Sequence, residues 1–76
     1  MTSVEIKLAS IQDIRTFVEK VSRHDMEVDL SSGRYIVDAK SIMGIFSLDL
    51  ANTLTLTAHG EDCDDLLTDL SEYIVK

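Results

Sequence analysis

Lys40-Ser41-Ile42-Met43-Gly44-Ile45-Phe46-Ser47-Leu48 reads first as a short helix with more apolar residues than one face can hold. Ser41 suits the N-cap, because its hydroxyl can accept a hydrogen bond from a free N–H of the first turn. The residues after Ser41 are nearly all apolar, with no charge until Asp49 and with Gly44, a weak helix former, in the middle. A helix of about two turns, with a period of roughly 3.6 residues, cannot bury Ile42, Met43, Ile45, Phe46 and Leu48 together. Ile45 and Leu48 share a face with Ser41 and Ile42, while Met43 and Phe46 point elsewhere. The spacing predicts apolar side chains left in water, a mark of contact sites.

The flanking segments read as strands. Upstream, Tyr35, Val37 and Ala39 alternate with Arg34, Ile36 and Asp38, predicting a strand with the first three turned inward. Met26, Val28 and Leu30 alternate with Glu27 and Asp29, and Ser31-Ser32-Gly33 joins the two strands as an antiparallel hairpin. Downstream, Leu54, Leu56 and Ala58 alternate with threonines and His59 in a fourth strand.

At the start of the chain, Val4, Ile6 and Leu8 alternate with polar residues in a first strand. Ser10 then caps a helix, with Asp13 at its third position completing much of a capping box. Ile11, Ile14, Phe17, Val18 and Val21 form the apolar face of that helix, which ends near Arg23. After His59-Gly60, the acidic residues Glu61, Asp62, Asp64 and Asp65 open a last helix whose apolar face is Cys63, Leu66, Leu67, Leu70, Tyr73 and Ile74. The order is β-α-β-β-α-β-α, an α+β domain over residues 1–76. Half-buried strands predict a four-stranded antiparallel sheet with three helices on one face and water on the other.

Composition narrows the function. Seventy-six residues make one small domain, and 45% hydrophobic content is enough for a two-layer core. Fourteen acidic against seven basic residues, net −7, argue against nucleic acid or an anionic membrane as partner. The lone Cys63 rules out an internal disulfide and suits a reducing cytoplasm, and no apolar run approaches a membrane span. The two histidines, His24 and His59, lack the spacing of a metal pair. His24 reads as a helix-end residue capping carbonyls, and His59 as a surface residue. The acidic run lacks the ligand alternation and central glycine of a calcium loop, and is explained by dipole complementarity. Cys63 reads as an inert core residue. No metal, cofactor or conventional enzyme active site is expected.

The stretch from Lys40 to Leu48 resembles the regulatory-serine segment of HPr, the histidine-containing phosphocarrier of the bacterial sugar phosphotransferase system. The likeness runs without a gap from about Ser22 through Leu50 and, with loop adjustments, over nearly the whole chain. It implies the HPr-like open-faced β-sandwich. It also implies a phosphoryl-accepting histidine at the start of the first helix, in a Gly, apolar, His, Ala, Arg, Pro, Ala motif. This sequence has Leu8-Ala9-Ser10-Ile11-Gln12-Asp13-Ile14 there. Ser10, Ile11, Gln12 and Asp13 occupy the position of the lost motif. Keeping the first strand in register with the family also shortens this loop by about three residues. A carboxylate at Asp13 would repel an incoming phosphate by about 1 kcal/mol or more.

The resemblance therefore implies a divergent member, similar in its missing histidine to the catabolite-repression paralogue of HPr. The resemblance implies that Ser41 matches the serine that HPr kinase/phosphorylase modifies in family members of Gram-positive bacteria. A plain N-cap is the competing reading of the same residue. Lys40, Ile42, Met43, Phe46 and Ser47 form the expected partner-binding surface. The implied function is a non-enzymatic regulatory or protein-binding module in a bacterial cytoplasm. Its implied partners are phosphotransferase-system proteins or a catabolite regulator. Two alternatives stay open: a phosphocarrier using another acceptor, and a structural relic with an unrelated, homodimeric binding role.

Overall fold

Period-two alternation produces the strands where it is expected. The computed structural model describes residues 1–75 and places β1 at Thr2–Ile6, β2 at Glu27–Ser32, β3 at Tyr35–Asp38 and β4 at Leu54–His59. The helices are α1 at Ile11–Ser22, α2 at Ile42–Phe46 and α3 at Asp64–Asp69, with a single 3-10 turn after them at Ser71–Tyr73. Periodicity leaves the strand order open; it is β1-β4-β2-β3, antiparallel throughout. β4 comes last in sequence yet lies inside the sheet. It pairs Leu56 with Val4 on one side and with Leu30 on the other.

One face of the sheet carries Ile6, Leu54, Leu56, Ala58, Val28 and Leu30, all buried under the helices. Phe17 and Val21 of α1, Ile45 of α2, and Leu66 of α3 complete the core, each fully buried. Among the described residues no charged side chain is buried, and Cys63 and Tyr73 are the buried side chains that carry a polar atom. The β2–β3 hairpin turns on Gly33-Arg34, with Ser32 opposite Tyr35 and Gly33 at φ +60°. Glycine at the first central position is what a type II′ turn requires.

Three expectations are corrected. Tyr35, expected inward, lies 72% exposed at the hairpin end of the edge strand, where the helix layer does not cover it. Ile11, expected on the packed face of α1, is 63% exposed because it stands in the first turn, at the rim of the core. Tyr73 and Ile74 do not extend the last helix. The chain leaves it at Asp69, and Ile74 forms a bridge with Ile6. The exposed edge of β1 offers free backbone groups, and the tail takes them: Val75 N–H donates to the Glu5 carbonyl and Lys7 N–H to that of Tyr73.

Tyr73 is nevertheless buried, with its ring edge-on to Phe17 at 5.8 Å and 78°. The Lys20 ammonium sits 2.9 Å from Glu72 and holds that carboxyl below its ordinary range. Burial first, then the neighbouring Glu72 carboxylate, pushes the Tyr73 phenol from 10.0 up to about 12. A raised folded-state value means that the native state keeps a proton which the unfolded chain gives up first. The stabilisation is full below pH 10.0, declines between pH 10.0 and about 12, and is gone above. Urea midpoints measured across that window should fall for the parent chain. Tyr73→Phe should remove this part of the slope, and an unchanged slope in that variant would refute the assignment.

Candidate functional site

The turn from β3 into α2 is built by local backbone demand. Asp38 accepts twice, its Oδ1 from Lys40 N–H at 2.9 Å and its carbonyl from Ser41 N–H at 3.0 Å. Ser41 then caps α2, its Oγ accepting from Gly44 N–H at 3.1 Å. Gly44 has a packing reason to be glycine. A Cβ there would lie 3.1 Å from the Cβ of Val37 and 3.3 Å from Ser41 Oγ, so the side-chain-free turn lets α2 lie directly against β3. That contact fixes which side of α2 faces in. Ile45 and Leu48 are buried, whereas Met43 is 80% and Phe46 46% exposed.

The remaining residues expected on this surface divide. Ser47 is exposed and its hydroxyl donates back to the Gly44 carbonyl at 2.6 Å. Ile42 is half-buried against α1, beside Gln12, Arg15 and Val18. Lys40 is half-buried and its Nζ donates to the His24 carbonyl at 2.6 Å, which ties α2's entry to the end of α1.

At the start of α1, Ser10 Oγ accepts from Asp13 N–H at 3.1 Å, and Asp13 Oδ2 accepts from Ala9 N–H at 3.0 Å. Each side chain satisfies a free N–H near the helix start, much as in a capping box. Gln12 is engaged along the helix surface, with Nε2 3.3 Å from Thr16 Oγ1. Two N–H groups at this helix start are therefore already held, that of Asp13 by the Ser10 hydroxyl and that of Ala9 by the Asp13 carboxylate, whose charge also opposes an incoming anion.

The tertiary structure brings the α1 start and the α2 end together, which no local signal in the sequence could do. Ser10, Ile11, Ile14, Phe46 and Leu50 line an open, mostly apolar groove of about 450 Å³. The Lys7 ammonium, donating to the Ala51 carbonyl, sits at its rim. Met43 and Ser41 do not line this groove. Leu50 and Ala51 are additions that the sequence pattern did not single out; the apolar character of Leu50 was their only signal.

The histidines lie elsewhere. His24 was expected to cap helix carbonyls. Its backbone N–H does bond to the Val21 carbonyl, but its imidazole reaches the Asp69 carboxylate of α3 at 2.8 Å. Folding brings that carboxylate beside the ring, where it competes with the weaker carbonyl acceptors. His59 Nε2 lies 2.8 Å from Asp29 Oδ2 on the open face of the sheet. Cys63 is buried and unpaired. Among the described residues, no group of three or more His, Cys, Asp or Glu is arranged to hold a metal ion. None of their helices is long and apolar enough to cross a membrane.

A four-stranded antiparallel sheet with its helices on one face and an open apolar groove defines a small open-faced α+β sandwich. The family model described as the PTS HPr component phosphorylation site matches residues 12–76. The HPr-like protein Crh of Bacillus subtilis (strain 168) is 36% identical over 76 residues, covering 93% of this chain and 89% of Crh. The crystal structure of HPr-C-His from Thermoanaerobacter tengcongensis superposes with a TM-score of 0.82 at 28% identity, covering 95% of this chain and 89% of that one. The crystal structure of Bacillus subtilis Crh, described as a swapping-domain dimer, gives 0.65 at 28% identity over 93% of this chain and 88% of that one. The chain belongs to the HPr family.

Proposed function

We propose that this chain is a regulatory, protein-binding member of the HPr family that acts through the Ser41 helix and not by histidine phosphotransfer. The observation that carries this reading is the capped start of α1. Where the family's motif would place histidine, Ser10 and Asp13 satisfy the Asp13 and Ala9 N–H groups. The chain's only histidines, His24 and His59, are instead hydrogen-bonded to Asp69 and Asp29. A histidine carrier needs the imidazole itself and donors free to hold its phosphate; this turn has no histidine and places the Asp13 carboxylate where the phosphate would come.

Ser41 is the residue we assign to regulation. It begins a helix that displays Met43 and Phe46 to solvent, the side chains suited to meet a partner protein. A phosphate on Ser41 would add about −1.5 to −2 charge beside that surface and change which partner it accepts. HPr kinase/phosphorylase is the modifying enzyme in this reading. A phosphotransferase-system protein or a catabolite regulator is the partner, met in the cytoplasm. The chain itself is not an enzyme. A homodimeric role is a second reading, supported by the swapped dimer described for Bacillus subtilis Crh, which shares 28% identity with this chain.

Intact-mass spectrometry after two separate incubations tests the first reading. HPr kinase with ATP should add one phosphate, mapping to Ser41; enzyme I with phosphoenolpyruvate should add none. Labelling by enzyme I would overturn the loss of carrier function, and no labelling by the kinase would return Ser41 to a plain cap.

A further inference from the structure

We propose that the free edge of β3 is a self-association surface, on which a second copy of this chain pairs its own β3 antiparallel about a two-fold axis at Ile36. The two edges of the sheet are unequal. β1 is partly covered by the tail, through the Ile6–Ile74 bridge and the Val75 N–H to Glu5 carbonyl bond. β3 is the last strand on the other side, with β2 as its one neighbour in the sheet. It is exposed at Tyr35, Ile36 and Asp38, with Tyr35 at 72% and Ile36 at 69%, and the adjoining turn residue Arg34 is exposed as well. A free edge with large apolar side chains is a template for another strand.

Backbone geometry restricts how that strand can sit. Ala39 N–H donates inward, to the Val28 carbonyl of β2. Successive residues of a strand turn their amides to alternate sides, so Val37 and Tyr35 also face β2, and Ile36 and Asp38 face outward, with Arg34 beside them in the turn. Hydrogen-bonded pairs across a new antiparallel interface must therefore be centred on Ile36 or Asp38, or on the turn beside them. Placing Ile36 opposite Ile36 of the second copy sets Arg34 opposite Asp38, twice, and Tyr35 opposite Val37. Other registers are worse. Centring on Arg34 or on Asp38 opposes like charges, and the two intermediate registers set an apolar Ile36 against a charge. The segment Arg34-Tyr35-Ile36-Val37-Asp38 is thus complementary to itself: apolar residues are symmetric about Ile36 and charges are opposite.

The pairing also gives Asp38 a cationic neighbour that its own sheet lacks at that edge. Asp29 and Asp38 stand opposite each other in the β2–β3 register, Asp29 held by His59 at 2.8 Å and Asp38 Oδ1 accepting from Lys40 N–H at 2.9 Å. The second copy's Arg34 would stand beside Asp38, on the side away from Asp29. The result is a continuous eight-stranded sheet with the helices of both copies on the same side, and Met43 and the groove at Phe46 are not part of the paired edge. An edge this short, in a chain of net charge −7, makes a weak and reversible dimer.

Sedimentation equilibrium of the full chain, up to about 1 mM, tests the pairing. A concentration-dependent dimer is expected, with the Ile36 amide gaining protection from hydrogen exchange as the dimer forms. Arg34→Asp should weaken it by about tenfold. The double variant Arg34→Asp with Asp38→Arg should restore it, because the same pairs form with their signs exchanged. Ile36→Lys, at an exposed position that leaves the monomer folded, should abolish it. A monomer at every concentration, or a dimer indifferent to Arg34→Asp, would overturn the proposal, and the second result would point to strand exchange or to the Ser41 helix.

Discussion

Phe17→Ala should destabilise this domain by about 3–5 kcal/mol, a large share of its total stability. Phe17 is fully buried on α1 against the sheet, and its ring supports Tyr73 edge-on at 5.8 Å. Truncation removes the transfer free energy of a large side chain and leaves a cavity whose walls belong to a strand layer that cannot collapse freely. The aromatic contact with Tyr73 adds about 0.5–1.5 kcal/mol. A chain of this length has a total stability of roughly 4–11 kcal/mol, so the lower part of that range is consumed by one substitution. Phe17→Leu keeps most of the volume and should cost about 1–2 kcal/mol. Urea unfolding monitored by far-UV circular dichroism separates the two. A loss below about 1 kcal/mol for the alanine variant would show that Phe17 is not the central packing residue.

Ser41 variants should separate the cap from the modification site. Ser41→Ala removes the acceptor of the Gly44 N–H and should cost about 1 kcal/mol. Ser41→Asp keeps an oxygen in that place and should stay within a few tenths of a kcal/mol of the parent. Both variants should lose the kinase-dependent phosphate completely. Ser10→Ala should lose comparable stability at α1, where Ser10 accepts from Asp13 N–H, yet keep the phosphate. This triple comparison matters because a kinase can fail on a variant that has simply unfolded. Denaturation midpoints for all three variants identify that case. A phosphate persisting on Ser41→Ala, with the fold intact, would remove Ser41 from the regulatory role.

Local patterns in the residues were enough for most of the elements. The alternation of Val28 and Leu30, or of Leu54, Leu56 and Ala58, marks strands because a half-buried sheet has a period of two. Ser10 and Ser41 mark helix starts because their hydroxyls answer a demand that every helix start creates. The split of the Ser41 helix, with Ile45 and Leu48 inside and Met43 and Phe46 outside, comes from helical spacing, and the observed burial matches it. The absence of histidine from the start of α1 is a matter of residue identity alone.

Everything set by contacts between distant segments needed the folded chain. Tyr35 has the right phase to be buried, yet lies exposed, because burial also needs an opposing layer at that end of the sheet. Ile74 continues a helical spacing but pairs with Ile6, because the unsatisfied edge of β1 is a stronger attraction than one more turn of helix. The groove between Ile11 and Phe46 exists because α1 and α2 pack side by side. The β3 edge is available because β4 was inserted between β1 and β2 and left β3 outermost. Periodicity states which face of an element is apolar. Only the assembled layers state what that face meets, since burial belongs to pairs of surfaces and not to one segment.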